Sequence, residues 1–305
     1  MNNNSPPDIK NSLLLPDHDL GYWYDRQVVA GLHGEIKLSP NVQQHCRCGG
    51  KPPFMILNAQ SGEPTWCPCR LYRKKIAQID HYIKRSGIPA PFRYKYLDDF
   101  KKHYEDGQPI PGAEQLEHFF YSLIDGIRNS ERANMISQDP GNSHKITKGF
   151  YLWGSPGNGK TYFSYVILNE LIFKFVKPGK FISLSKSFQE LRHTFDEESI
   201  TYGQAVPIME MLSSVPFLVI DDFGVQRNTE WELEMLYNLI DGRYANQRLT
   251  FVTTNQNITD LKELAQGRIY SRLLEMCRII HCAAPDYREK NNPKDKWTDF
   301  GEKMI

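Results

Sequence analysis

The stretch Gly154-Ser155-Pro156-Gly157-Asn158-Gly159-Lys160-Thr161 has the full spacing of a phosphate-binding loop, two glycines with four residues between them followed by a lysine and a hydroxyl. Glycines let the backbone bend so that successive N–H groups point at phosphate oxygens, and a helix beginning at Lys160 would add the positive end of its dipole. Lys160 would reach the β- and γ-phosphates, and Thr161 would offer its hydroxyl to Mg²⁺. A ligand-free glycine-rich turn is the competing reading, but chance rarely supplies strand, loop, Lys-Thr and helix together. Holding the metal and activating water needs a second element. The apolar run from Phe217 to Ile220 supplies one by ending in Asp221 and Asp222, the first suited to Mg²⁺ and the second to orienting or deprotonating the attacking water. Two aspartates there could instead cap the next element. Asn255, at the end of LTFVTTN, could reach between the loop and the carboxylates to touch the γ-phosphate or the water, although a strand-end Asn is otherwise a turn residue.

Four of the six cysteines form two close pairs, Cys46-Arg47-Cys48 and Cys67-Pro68-Cys69, with 18 residues between them. Four thiolates suit tetrahedral Zn²⁺, and in a reducing compartment such pairs read as metal ligands rather than disulfides. The C-x-C knuckle is less common than C-x-x-C, His45 could replace one cysteine, and buried unligated thiols are the alternative. A small unit that cannot bury enough surface can be held by metal, so the expected role of zinc is structural. Cys277 and Cys282 lie in an apolar run near the C-terminus and are left out of this set.

The elements that must position these groups can be read from the apolar pattern. After Thr147, the short apolar runs GFYLW, FISL, PFLVI, LTFVTT and CRIIHC alternate with helical segments, which implies a parallel sheet covered by helices on both faces. Ahead of them, LYRKKIAQIDHYIKRSG places Tyr72, Ile76, Ile79 and Ile83 on one helical face, stopped by Gly87 and Pro89. AEQLEHFFYSLIDGIRN reads as a helix with Leu116, Phe119, Phe120 and Leu123 inward, and Asn129 to Thr147 as an exposed loop. The 305 residues suffice for one α/β domain and a small accessory unit, with a boundary placed near Pro89. The expected division is residues 1–88 as an N-terminal, partner-binding region with the cysteine module, 89–290 as the nucleotide domain, and 291–305 as a polar tail. Residues from Met1 to about Pro40 show no sustained periodicity.

A formal net charge of +1 gives no bulk attraction to nucleic acid, so any such contact needs a local patch. The segment from Arg70 to Lys102 offers one. Its Arg73, Lys74, Lys75, Lys84, Arg85, Arg93, Lys95, Lys101 and Lys102 are interleaved with Tyr72, Tyr82, Phe92, Tyr94 and Tyr96, the mixture that tracks phosphates and stacks on single-stranded bases. A solvated basic helix face is the plainer reading. No run approaches the length of a membrane span and the opening residues are too polar for a signal peptide, so the expected location is the cytoplasm.

Taken together, GFYLWGSPGNGKT, FLVIDDFG, TEWELEMLYNLIDGRY, FVTTN, GRIYSRLLE and PDYR resemble, in order and spacing, the AAA+ modules of DnaC/DnaI helicase loaders and of IstB transposition helpers. The likeness runs from about Ser86 to Lys290 and includes the connector SGIPAPFRYKYLDDF. It implies a P-loop NTPase of the AAA+ kind that binds ATP and Mg²⁺, preceded by a small zinc-binding domain. The large C-terminal helical lid of bigger AAA+ proteins is not expected. Many AAA+ proteins carry Glu where Asp222 stands, so slow hydrolysis is expected. The resemblance places an arginine finger at Arg272, acting on a neighbouring subunit's γ-phosphate, with Arg268 as runner-up, and a sensor arginine at Arg288. It offers Lys186 and Arg192 as pore-facing groups. The implied partners are a hexameric replicative helicase, for which the cysteine module with its neighbouring helix is the expected binding element, single-stranded DNA and further copies of the chain. IstB proteins generally lack a cysteine module, which favours replication over the alternative of a transposition helper. A P-loop small-molecule kinase, for which neither acceptor pocket nor arginine-rich lid is found, and an ATP-dependent binding switch with negligible turnover are the other rivals.

Overall fold

The computed structural model describes residues 24–25, 37–38, 46–67, 69–136, 147–194, 203–224, 229–262 and 264–287. Two short antiparallel ladders come first, β1 (Tyr24–Asp25) with β2 (Lys37–Leu38) and β3 (Met55–Leu57) with β4 (Pro64–Trp66). Helix α1 (Cys69–Lys84) follows, burying Ile79 and Ile83 fully and Ile76 in part, as the spacing expects. The side chain of Tyr72 is outside the described ones. Two helical turns, Ala90–Phe92 and Leu97–Asp99, lead to α2 (Ala113–Ile136). Leu116, Phe119, Phe120 and Leu123 are buried on this helix as expected. It continues past Asn129, where the sequence reading ended it, because the following Glu, Arg, Ala and Met are helix formers. Ser130 Oγ returns to the Gly126 carbonyl at 2.9 Å and meets Thr147 Oγ1 at 3.1 Å. The rest of the expected loop, residues 137–146, lies outside the described residues.

The remaining elements alternate: β5 (Gly149–Trp153), α3 (Lys160–Phe175), β6 (Gly179–Ser183), α4 (Leu184–His193), α5 (Ala205–Ser214), β7 (Phe217–Asp221), α6 (Glu230–Ala245), β8 (Leu249–Thr254), α7 (Arg268–Met276) and β9 (Cys277–His281). The five strands β5 to β9 pair in parallel in the order β6-β7-β8-β5-β9. Successive strand residues point to opposite faces, and the sequence uses both. Phe150, Leu152, Phe217, Val219 and Phe251 join the core with α1, α2 and α3, whereas Tyr151, Leu218, Ile220 and Val252 join the core with α4 to α7. This is the three-layer α/β architecture read from the apolar runs.

Helix α3 is apolar nearly all round and is buried between the sheet and the N-terminal segments. Its buried polar groups hold the connector. Asn169 Nδ2 donates to the carbonyls of Phe92 at 2.9 Å and Lys95 at 3.0 Å, and Glu170 Oε1 accepts from the Leu97 amide at 3.0 Å. At the sheet edge, the Phe181 amide donates to the Ser86 carbonyl at 2.6 Å, and Lys180 Nζ donates to the Arg85 carbonyl at 2.6 Å. Among the described residues no helix is long and apolar enough to cross a membrane.

Candidate functional site

Because β8 lies between β5 and β7, the carboxyl ends of three strands adjoin, which is where open α/β sheets collect ligands. The first βα turn there is Gly154 to Thr161. At Gly154 a side chain would lie 2.3 Å from the Cys282 carbonyl oxygen, so only glycine lets the loop pass β9. Gly157 has φ +75, and the Asp286 carboxylate occupies the space a Cβ would need. The Tyr287 amide donates to the Gly157 carbonyl at 3.0 Å, and the Tyr287 ring stacks on Tyr104 at 5.9 Å. The loop is thus backed by the segment after β9, and Asn158 fastens it by donating to the Cys282 carbonyl at 2.8 Å.

Lys160 is buried, its Nζ donating to the carbonyls of Gly154 at 2.8 Å and Ser155 at 2.7 Å and to Asn158 Oδ1 at 2.9 Å. Burial lowers its pKa, with Cys282, Asp221 and Asp222 working in the opposite direction. Across the site, Thr161 Oγ1 donates to Asp221 Oδ1 at 2.9 Å. Asp221 is 5% exposed, and burial raises its pKa, with Asp222 adding to the rise against hydrogen bonds from Thr253 and Thr161. The hard oxygens of Thr161 and Asp221 fit Mg²⁺, and the loop with Lys160 fits a triphosphate.

Asp222 is exposed and holds φ +55, a left-handed conformation that aspartate tolerates better than most residues. The next residues fix it there. The Phe223 amide donates to the Thr253 carbonyl at 2.9 Å, the Thr254 hydroxyl donates to the Phe223 carbonyl, and Gln256 Nε2 donates to the Gly224 carbonyl at 3.2 Å. Asn255 sits exposed just beyond β8, and the residue of this strand that touches Asp221 is Thr253, through its hydroxyl. Sequence reasoning missed Thr253. The signal available was a Thr-Thr pair at the buried end of a strand, where hydroxyls need partners.

Arg272 packs against α6. Its guanidinium pairs with Asp241 and lies 5.1 Å and 5.6 Å from the ring centroids of Tyr237 and Tyr244, with Nη2 3.3 Å from the Tyr237 hydroxyl. Arg268 is exposed on the same surface, 5.7 Å from the Tyr237 ring. Arg288 and His45 lie outside the described residues. Lys186 is exposed, whereas Arg192 donates to Glu232 Oε1 at 2.8 Å, within the cap of α6, so it is committed to holding that helix.

Cys46, Cys48, Cys67 and Cys69 converge, with all four sulfurs within 4.8 Å of one another. The separations of Cys46, Cys48 and Cys69 are 3.5 to 3.6 Å. A tetrahedron with metal–sulfur bonds of about 2.3 Å has edges of about 3.8 Å, so the donor set fits Zn²⁺. Burial raises the Cys69 thiol, while Cys67, although burial alone would raise it, is brought down to about 6 by hydrogen bonds from the backbone of Cys69 and Arg47. Arg73 Nη2, 4.0 Å from Cys46 Sγ, offsets charge on the cluster.

The aromatic residues expected to stack on bases between Arg70 and Lys102 are largely packed inward. Tyr94 and Tyr96 are buried, and Phe92 stacks on Tyr165 at 4.9 Å. Of the cations, Lys84 pairs with Asp80, Lys95 with Asp99 and Lys102 with Glu117, and Arg93 donates to the Ile88 carbonyl. The sequence pattern mixed core aromatics with surface charge because both recur along a connector that wraps a helix.

Residues 141–295, half of the chain, match the family described as IstB-like ATP binding protein. Similar curated proteins include the uncharacterized protein YqaM of Bacillus subtilis, 26% identical over 219 residues, which cover 70% of this chain and 60% of that one. The replicative helicase loader DnaC of Escherichia coli K12 is 29% identical over 124 residues, 41% of this chain and 49% of that protein. The matches therefore span about half to three fifths of the length of these two relatives. A crystal structure of the DnaC helicase loader is similar at 21% identity and a TM-score of 0.46, over 64% of this chain and 99% of that one. A loop, a Thr161–Asp221 contact and a strand order of this kind, in a sequence so matched, place the chain in the family of IstB-like ATP binding proteins.

Proposed function

We propose that this chain is an ATP-driven loader that delivers a hexameric replicative helicase to single-stranded DNA in the cytoplasm. The observation that carries the reading is the Thr161–Asp221 contact beside a buried Lys160 in a glycine-rich loop, an arrangement that suits a triphosphate. Helicase delivery is supported by the likeness to a relative named as a replicative helicase loader, and by the cysteine cluster ahead of the nucleotide domain.

In this reading Lys160 leaves the loop carbonyls for the β- and γ-phosphates, and the loop amides hold the remaining oxygens. Mg²⁺ bound with ATP neutralises phosphate charge. Thr161 and Asp221 would hold it, directly or through water. Asp222 orients the attacking water and takes its proton, and Thr253 keeps Asp221 turned inward. Arg272 of one subunit spreads transition-state charge on the nucleotide of the next, so turnover rises on assembly. Arg288 is a second phosphate contact, and Asn255 a contact to the γ-phosphate or water.

The family match favours one alternative, an ATPase that serves a transposase. Affinity capture from the native organism, repeated with Lys160→Ala, separates the two. The expected result is a hexameric helicase whose retention changes with nucleotide for the wild type and not for Lys160→Ala. Recovery of a transposase, with no helicase in any nucleotide state, would overturn the loader reading.

A further inference from the structure

The face of the β3–β4 hairpin opposite the core has no covering element among the described residues. Met55 pairs with Trp66 and Leu57 with Pro64, so these side chains share one face, while Ile56 turns to the other and packs on the core. Met55, Leu57 and Trp66 are 37%, 72% and 49% exposed. The Arg70 guanidinium lies 3.4 Å from the Trp66 ring centroid. The charge around this face is one-sided. Residues 46–79 contain Arg47, Lys51, Arg70, Arg73, Lys74 and Lys75 against a single carboxylate, Glu63. Arg73 is taken up by the thiols, but Arg47, Lys51 and Lys74 are exposed on and beside the hairpin.

We infer that the outward face of the cysteine module, Trp66 with Met55, Leu57 and Arg70, is a binding surface for single-stranded nucleic acid. An exposed indole already stacked with a guanidinium is a platform for a base, and the flanking cations track the backbone. The apolar side chains alone would also suit a protein, but the cation excess selects a polyanion. The inference deepens the loader reading and rests on it, since it assigns the base stacking to Trp66 of the hairpin instead of the aromatic residues between Arg70 and Lys102, which are largely packed inward.

The test is anisotropy of a labelled oligothymidylate of about 20 nucleotides, titrated with full-length protein in ATP and in ADP over a range of salt. Trp66→Ala should weaken binding about tenfold and Trp66→Phe should restore most of it, because stacking and not shape is lost. Arg70→Gln should reduce the slope of log affinity against log salt by about 0.7, one phosphate contact on a single strand. Zinc content and ATP affinity serve as folding controls. Should Trp66→Ala disturb them, Leu57→Gln takes its place with the same expected direction. Normal wild-type binding with unchanged variants would overturn the surface while leaving the loader reading intact. Wild-type protein that binds no oligonucleotide in either nucleotide would overturn both. Variants that bind DNA normally but lose a helicase captured by the wild type would make this a protein-docking face and overturn the inference.

Discussion

Asp222, to which we assign the proton transfer, stands in a backbone conformation that most side chains avoid, held by the bonds of Phe223 and Gly224 to β8 and the loop after it. Asp222→Asn keeps both the shape and the tolerance of positive φ. It should lower kcat by about a hundredfold or more and leave ATP affinity unchanged. Asp222→Glu should not reduce turnover, because the longer carboxylate reaches at least as far toward the water. Steady-state kinetics and nucleotide titration decide both. Thr253 is a neighbour that pattern reading passed over in favour of Asn255, because sidedness at a strand end is settled by register and not by polarity. Its hydroxyl stabilises the charged form of Asp221, whose pKa burial already raises. Metal needs the ionised form, so binding of ATP with Mg²⁺ weakens as pH falls through that raised pKa. Thr253→Val should move this loss to higher pH, measurable as a shift in the acid limb of nucleotide affinity.

Among the elements, α6 is fixed by one residue that sequence gave no reason to single out. Arg243 is fully buried, donating to the carbonyls of Leu212 at 2.6 Å, Val215 at 2.9 Å and Leu249 at 2.6 Å and to Thr250 Oγ1 at 3.0 Å. It joins α5, α6 and β8, and burial brings its pKa down to about 9. Arg243→Ala strips partners from buried carbonyls and opens a cavity, so it should cost about 3 kcal/mol or more, read from urea unfolding. In sequence Arg243 looks like any helix-surface arginine, since the carbonyls that receive it come from distant turns. The strands were legible for the opposite reason. Runs such as FLVID and LTFVTT are apolar on both faces, which only a doubly covered sheet accepts, and the phosphate loop had a strand and a helix to attach to. The end of α2 was not, because Ser130 and Asn129 read as loop formers until tertiary contacts hold the helix.

At the scale of the whole molecule, Cys67, Cys69, Ile79 and Ile83 belong to one buried cluster with α3 and the sheet. Removing zinc should therefore lower the melting temperature of the entire unit, and calorimetry with chelator should show one shifted transition with no separate early one. Assembly has its own test. Lys160→Ala subunits keep an intact Arg272, and Arg272→Ala subunits keep an intact phosphate loop. Mixing the two inactive forms should restore part of the turnover, which tests whether the arginine acts across an interface. A final consequence follows from the bond between the Phe181 amide and the Ser86 carbonyl. The chain leaving α1 blocks the outer rim of β6, so an incoming strand from another molecule finds that border of the sheet taken. Among the described residues the opposite border of the sheet is β9, where Arg278 stands exposed as a charged deterrent to strand addition.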